Sequence, residues 1–166
     1  MIRGRVILNA LGKIVLFIGI AMLSCLIWAA QEGVAVVKGI TAAAALTIII
    51  GLITTLASKN KGSINFKESF AVVTLGWLVA SIFGALPFLT TGVLDSFAGA
   101  WFESMSGFTT TGASVFTDVE ACPRAVLFWR SLTQWLGGIG IIALFVALIS
   151  NIGVRANQLF KAEVPG

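Results

Sequence analysis

The sequence contains no histidine, and its two cysteines, Cys25 and Cys122, are isolated from one another. A chain without histidine cannot build a His-based catalytic triad, and two isolated cysteines provide neither a zinc site nor a CxxC redox pair. The Gly-x-x-x-x-Gly-Lys-Ser/Thr pattern that binds nucleotide phosphates is also missing. From these absences we expect no cofactor and no enzymatic activity.

Charged residues are scarce as well, at 11% of the 166 residues, whereas soluble domains carry about 25%. Hydrophobic residues make up 58% of the chain, and the mean hydropathy is +1.01. This composition predicts an integral membrane protein that lies almost entirely in or at the bilayer. The net charge of +4 resides largely in loops, so it reports orientation and does not predict nucleic-acid binding.

Four long apolar segments predict four transmembrane helices, at residues 6–30, 34–57, 70–90 and 123–150. The first two form an N-terminal pair within residues 1–66, and residues 67–166 form a second unit. A cleaved signal peptide is the alternative for the first segment, because a basic start precedes its apolar run. Trp28, close to the end of that run, is a poor match to a small-x-small cleavage site.

The distribution of charges predicts the orientation. With the N-terminus inside, the basic side chains that fall on the cytoplasmic side are Arg3, Arg5, Lys59, Lys61, Lys67, Arg155 and Lys161. The acids on the outer half are Glu32, Asp95, Glu103, Asp118 and Glu120. Acids around an outer mouth would attract cations. For Glu32 and Glu120, a solvated loop position is an equal alternative.

One stretch inside the second unit does not fit a spanning helix. Residues 95–106 predict a helix of roughly 18 Å, about half a bilayer. Residues 107–114 follow it, and their three consecutive threonines between glycines disfavour helix. Non-helical backbone at membrane depth is tolerated only inside protein or along a water-filled path, where its oxygens can replace the water around a cation. We therefore predict an ion selectivity filter at 107–114.

Two features of the last span bear on how the half-helix and the predicted filter are held in place. Arg130 lies too deep in the membrane to remain unpaired, and Glu103 on the half-length helix is the nearest partner in depth. Such a pair would clamp the half-helix, whereas the alternative is that Arg130 reaches the headgroups or Asp118. The glycines at 137, 138 and 140 predict close helix packing, or a gating hinge at Gly138.

Several of these stretches together resemble a known family. They are 102–114 (FESMSGFTTTGAS), 123–124 (PR), 128–131 (FWRS) and 134–140 (QWLGGIG). They are similar to the first pore repeat of TrkH-type potassium uptake proteins, which belong to the Trk/Ktr/HKT superfamily. The similarity extends over residues 67–166, and the two leading spans resemble the extra N-terminal pair of the TrkH branch.

The resemblance implies an all-α membrane protein of the bacterial inner membrane that translocates K⁺ through four non-identical repeats of one chain. Gly112 matches the key filter glycine, and the residues implied to present oxygen atoms to the ion are Thr109, Thr110, Thr111, Gly112 and Ala113. The implied partners are membrane lipid, the remaining pore repeats or other copies, a second copy in a homodimer, and a cytosolic nucleotide-binding regulatory subunit.

The chain departs from this family in length. One repeat is present, and the gate-forming loop and charged gate residue of later repeats are missing, so we expect a fragment or a truncated reading frame. A non-conducting assembly or regulatory subunit and half of a secondary cation transporter are the alternative functions. An inverted internal repeat would favour the transporter, and none is visible. The lack of histidine weakens a further alternative, an intramembrane hydrolase.

Overall fold

The computed structural model describes residues 3–59 and 65–142, and within them all regular secondary structure is helical. The helices are α1 (Gly4–Leu23), α2 (Leu26–Ala29), α3 (Val34–Ala57), α4 (Phe66–Gly84), α5 (Leu86–Thr90) and α6 (Phe97–Phe108). A further helix, α7, begins at residue 124 and continues to residue 142. The predicted all-α membrane fold is therefore confirmed. The end of the last predicted span, residues 143–150, and the tail, 151–166, lie outside the described residues.

Among the described residues, three helical segments are long and apolar enough to cross a membrane: Gly4–Ala29, Val34–Ala57 and Lys67–Thr90. The first combines α1 and α2, and the third combines α4 and α5. Pro87 stands in the first turn of α5, where its missing N–H costs nothing, and the helix is interrupted at Ala85 just before it.

The third span begins earlier than residue 70, where the apolar run starts. Asn65 accepts a hydrogen bond from the Glu68 N–H at 2.9 Å, and the Glu68 carboxylate accepts one from the Asn65 N–H at 3.0 Å. This reciprocal capping box satisfies two unpaired donors at the helix start. Because the cap makes a charged first turn favourable, α4 starts at Phe66.

Glycines bring α1 and α3 close together in an antiparallel hairpin. A Cβ atom added to Gly12 would lie 2.8 Å from the backbone nitrogen of Thr55, and one added to Gly51 would lie 2.5 Å from that of Leu16. Side chains at these positions would separate the two helices. Small residues are the usual means of such close packing between membrane helices.

The hairpin is attached to α4 at one end by an ion pair. Glu68 has no exposed surface, and its carboxylate accepts hydrogen bonds from the Arg3 backbone N–H at 3.0 Å, from Nε at 2.9 Å and from Nη2 at 2.8 Å. The hydrogen bonds to Glu68 hold the pKa of the Arg3 guanidinium above its ordinary value. The starts of α1 and α4 therefore lie at the same end of the bundle.

The buried core lies where α4, α6 and α7 meet the hairpin. Trp129 is completely buried, and its indole N–H donates to the Gly84 carbonyl oxygen at 2.8 Å. Its ring meets the edge of Phe108 with 6.5 Å between centroids. Because Phe108 is the last residue of α6, this contact fixes the end of that helix against α7.

Candidate ion pathway

The half-length helix α6 spans Phe97–Phe108, which is 12 residues or roughly 18 Å. The Ser96 hydroxyl caps it by accepting from the Gly99 N–H at 3.5 Å. The predicted bounds, 95–106, are wrong by two residues at each end. Gly107 and Phe108 are helical, although we predicted them to lie within the filter, because α7 packs directly against this last turn.

The α6 helix ends in a Schellman motif formed by the threonine run. The Thr111 N–H donates to the Ser106 carbonyl and the Thr110 N–H to the Gly107 carbonyl, both at 2.9 Å. Thr110 adopts the left-handed region, with φ +57°. A β-branched residue is rare in this region, and such strain persists only where the surroundings impose it. The chain thus leaves the helix in a sharp, defined turn.

Residues 111–114 carry no regular secondary structure and are exposed. No donor within residues 3–59 or 65–142 hydrogen-bonds to the carbonyl oxygens of Thr110, Thr111 or Gly112. The Thr109 and Thr111 hydroxyls lie 2.8 Å apart. Residues 110–112 therefore present three consecutive carbonyl oxygens that accept no hydrogen bond from the described residues.

Ala113, the fifth predicted filter residue, differs from these three. Its carbonyl oxygen accepts a hydrogen bond from the Ser106 hydroxyl at 2.6 Å. Because Ser106 lies on α6, this hydrogen bond holds Ala113, near the C-terminal end of the predicted filter, against the helix that precedes it. The sequence offered no signal for this contact, because serine at such a spacing has many possible partners.

Glu103 connects three parts of the site. Only 2% of the residue is exposed, and its carboxylate accepts hydrogen bonds from the Ser114 hydroxyl at 3.1 Å, the Val115 N–H at 2.9 Å and Arg130 Nε at 2.5 Å. The Arg130 side chain is 17% exposed. A buried carboxylate is tolerated when it is paired and hydrogen-bonded in this way. The structure therefore brings Glu103 and Arg130 together, as the sequence predicted.

Asp118 is not the partner of Arg130. Its carboxylate instead accepts from the backbone N–H groups of Glu120 at 3.1 Å and Ala121 at 3.3 Å, in a local turn. Cys122 lies in the same loop, and burial raises the pKa of its thiol. The nearby Glu103 and Asp118 carboxylates raise it further, while the Arg130 guanidinium opposes this effect.

The glycines of α7 have different surroundings. A Cβ atom on Gly137 would lie 2.8 Å from the Phe108 carbonyl carbon, whereas one on Gly138 would meet nothing within 4 Å. On the α6 side, Gly107 makes a matching close approach to Thr133. Close packing therefore applies to Gly137. The helix continues through Gly138, and the hinge at this residue stays a prediction.

Glu32 does not lie free at the outer mouth. Its carboxylate accepts hydrogen bonds from the backbone N–H groups of Arg124 and of Ala125, the latter at 3.1 Å. Both groups belong to the first turn of α7. Glu32 therefore caps α7, and the two alternatives for it, a cation-attracting or a solvated carboxylate, stay predictions.

Three helical segments long and apolar enough to span a bilayer, followed by a half-length helix that ends in an oxygen-rich, non-helical segment, place the described part of the chain in the class of all-α membrane proteins. The family model of TrkH, described as a cation transport protein, matches residues 37–166. The chain belongs to this family, and the resemblance seen in the sequence is thereby confirmed.

Relatives and a solved structure are similar over much of the chain. The Trk system potassium uptake protein TrkH of Escherichia coli is 44% identical over 109 residues, which is 65% of this chain and 23% of that protein. TrkH of Halomonas elongata is 33% identical over 164 residues, 98% of this chain and 34% of that protein. The crystal structure of the potassium transporter TrkH from Vibrio parahaemolyticus superimposes with a TM-score of 0.82 at 28% identity, covering 97% of this chain and 37% of that one. This chain thus spans about a quarter to a third of its relatives.

Proposed function

We propose that this chain forms one wall of a potassium-conducting pore in a K⁺ uptake protein. The observation that carries the proposal is the run of carbonyl oxygens at Thr110, Thr111 and Gly112, which follow a half-length helix and accept no hydrogen bond from residues 3–59 or 65–142. Rings of backbone carbonyls replace the hydration shell of K⁺ in selective pores. The relatives named as potassium uptake proteins support K⁺ as the transported ion.

The electrostatics of α6 suit a cation. The C-terminal end of a helix carries the negative end of its dipole, and α6 ends at Phe108, next to the exposed oxygens. The Glu103–Arg130 pair is internally balanced, so it holds the segment in place without a net charge that would trap the ion. Entry of K⁺ is then passive and driven by the membrane potential.

One such segment supplies one wall, and a closed pore requires more. Because the chain spans 23–34% of its relatives, we propose that three further repeats complete the ring, as the resemblance implies. We also propose a bacterial inner membrane location with the N-terminus in the cytoplasm. The basic residues at the starts of α1 and α4 support this orientation.

The remaining partners are proposals by resemblance. The relatives are named as parts of a Trk system, which supports further protein components. We propose that the full-length protein forms a homodimer and that one further component is a cytosolic nucleotide-binding regulatory subunit. The proposed function is transport, without enzymatic turnover.

The test is Rb⁺ or K⁺ uptake in cells that lack their own potassium transporters. Uptake is measured for the chain alone and for the chain joined to the three further repeats. We expect uptake only with the completed ring. Uptake with neither form would contradict the proposal and favour a regulatory subunit, whereas uptake that requires a second coupled ion would favour a secondary transporter.

A matched pair of glycine variants tests the role of the segment itself. Gly112 has φ +77° and Gly92, in the turn after α5, has φ +73°, and a Cβ atom would meet nothing within 4 Å at either position. Alanine should cost each about 1–2 kcal/mol of stability, since both positions require a left-handed backbone. We expect Gly112→Ala to abolish most uptake and Gly92→Ala to preserve it. Equal uptake by the two variants would contradict the proposal.

A further inference from the structure

The loop between α2 and α3 touches the start of α7, although the two are far apart in sequence. Glu32 in that loop accepts from the N–H groups of Arg124 and Ala125, 92 and 93 positions away. Pro123 precedes them and has no N–H, so these are the first donors that α7 offers. A carboxylate here satisfies groups that the helix leaves unpaired and interacts favourably with the helix dipole.

A second contact reinforces the first. Trp28 of α2 packs against Phe128 of α7 with 6.2 Å between ring centroids. Buried residues of both segments, including Ala29 and Val126, belong to one continuous core. The N-terminal hairpin therefore holds the start of α7 through a charged cap and an apolar contact together.

The start of α7 is connected by continuous helix to Arg130, whose partner Glu103 accepts hydrogen bonds from residues 114 and 115. Arg130 follows Arg124 by six residues, or about 9 Å along an α-helix, with no break between them. Arg130 pairs with Glu103, which in turn accepts from the Ser114 hydroxyl and the Val115 N–H. A shift of α7 along its axis would therefore move the group that supports the far end of the filter segment.

We infer that Glu32 is a positioning residue of the ion pathway: by capping α7, it sets the depth of Arg130 and, through Glu103, the geometry of residues 111–115. The inference rests on the proposed function for its effect on ions. It gives the N-terminal hairpin a defined role, which is to hold the pore-lining unit in register. The cap itself is independent of which ion is transported.

The experiment uses the protein at its full native length and compares Glu32→Ala, Glu32→Gln and Glu120→Gln. Glu120 is exposed in a loop that leads to α7, so its variant removes a nearby negative charge without touching the cap. Amide hydrogen exchange at Arg124 and Ala125 should accelerate about fivefold to tenfold in Glu32→Ala. Glu32→Gln, which keeps one acceptor oxygen, should lie between this and the unaltered protein, and Glu120→Gln should leave the exchange unchanged.

The second measurement is the preference for K⁺ over Na⁺ in uptake. We expect Glu32→Ala to lower this preference about threefold or more, with partial rescue in Glu32→Gln. Because the effect passes through Arg130, Glu32→Ala should add little in an Arg130→Gln background. High ionic strength should not restore the preference, since lost surface attraction is not the cause.

Two results would overturn the inference. One is faster exchange at Arg124 and Ala125 with an unchanged ion preference, and the other is full additivity of the Glu32 and Arg130 variants. Failure of the proposed function is distinguishable, because the unaltered protein would then transport no K⁺. In that case the Glu32 and Arg130 variants are still compared by their free energies of unfolding, singly and together. A coupling energy near zero would refute the structural link between the Glu32 cap and Arg130.

Discussion

The Ser106 hydroxyl donates to the Ala113 carbonyl oxygen, seven positions further along the chain, at 2.6 Å and closes this part of the predicted filter into a loop. Thr111 donates to the carbonyl of the same Ser106 at 2.9 Å. Both the entry and the exit of the loop are therefore held by one residue of α6. The carbonyls of Thr111 and Gly112 lie between these two fixed points, and the carbonyl of Thr110 belongs to the peptide group whose N–H is the first of them.

A pair of buried serines on α6 tests this relationship. Ser106 is hydrogen-bonded, whereas the Ser104 hydroxyl is buried with no partner among the described residues. We expect Ser106→Ala to lower K⁺/Na⁺ discrimination and to cost about 1 kcal/mol in the free energy of unfolding. Ser104→Ala should be neutral or stabilising by a similar amount, since it removes an unpaired buried polar group. Indistinguishable behaviour of the two variants in uptake and thermal unfolding would refute the assignment.

The second prediction concerns the Glu103–Arg130 pair. Arg130→Gln or Glu103→Gln alone leaves a buried partner uncompensated, and each should cost about 3–5 kcal/mol of stability together with most uptake. The double variant should be less damaged than the sum of the two, by about 1–3 kcal/mol. Thermal unfolding and Rb⁺ uptake are measured for the unaltered protein, the two single variants and the double variant, which together form a double-mutant cycle. Strictly additive losses would count against the Glu103–Arg130 interaction.

The third prediction compares neighbouring glycines of α7. Gly137→Ala forces a methyl group against the Phe108 backbone and should cost about 1–3 kcal/mol. Gly138→Ala meets open space, and alanine favours helix over glycine by about 1 kcal/mol, so this variant should gain stability. Potassium uptake then tests the hinge, because normal uptake by a Gly138→Ala variant that is at least as stable as the unaltered protein would rule out a hinge at this position.

The fourth prediction uses Cys122 as a probe of nearby charge. Cys25 is fully buried, so Cys122 is the thiol expected to react in the folded protein. Its raised pKa means that the thiolate, which is the reactive form, is sparse at neutral pH, and the rate of labelling by a maleimide should keep rising with pH up to this higher pKa before it levels off. Arg130→Gln removes the opposing positive charge and should slow labelling further, whereas Glu103→Gln should speed it. The same rate in both variants would contradict this electrostatic arrangement.

The apolar segments were readable from the sequence because bilayer crossing imposes length and hydropathy directly. The second span has the predicted bounds, Val34–Ala57. The start of α4 and both ends of α6 were displaced, because a capping box at Asn65 and the packing of α7 on Gly107 override local apolar patterns. The packing of α7 on Gly107 is a tertiary effect that local patterns do not encode, whereas the Asn65–Glu68 capping box is a local signature that apolar runs alone do not reveal.

The site could be predicted only in part for the same reason. Glu103 and Arg130 were paired from depth, since a membrane leaves a charged side chain few partners. The roles of Ser106 and Glu32 could not be anticipated, because each depends on a hydrogen bond to a backbone group that the fold alone brings near. Both oxygens of the Glu32 carboxylate accept hydrogen bonds from the start of α7.

Ion binding by residues 110–112 is tested most directly by a crystal structure of the protein at its full native length with Rb⁺ or Tl⁺, located by anomalous scattering. We expect a dehydrated ion coordinated by the carbonyl oxygens of Thr110, Thr111 and Gly112. Ions found only at the outer acids, or a segment 111–114 turned away from every ion in the pore, would contradict it.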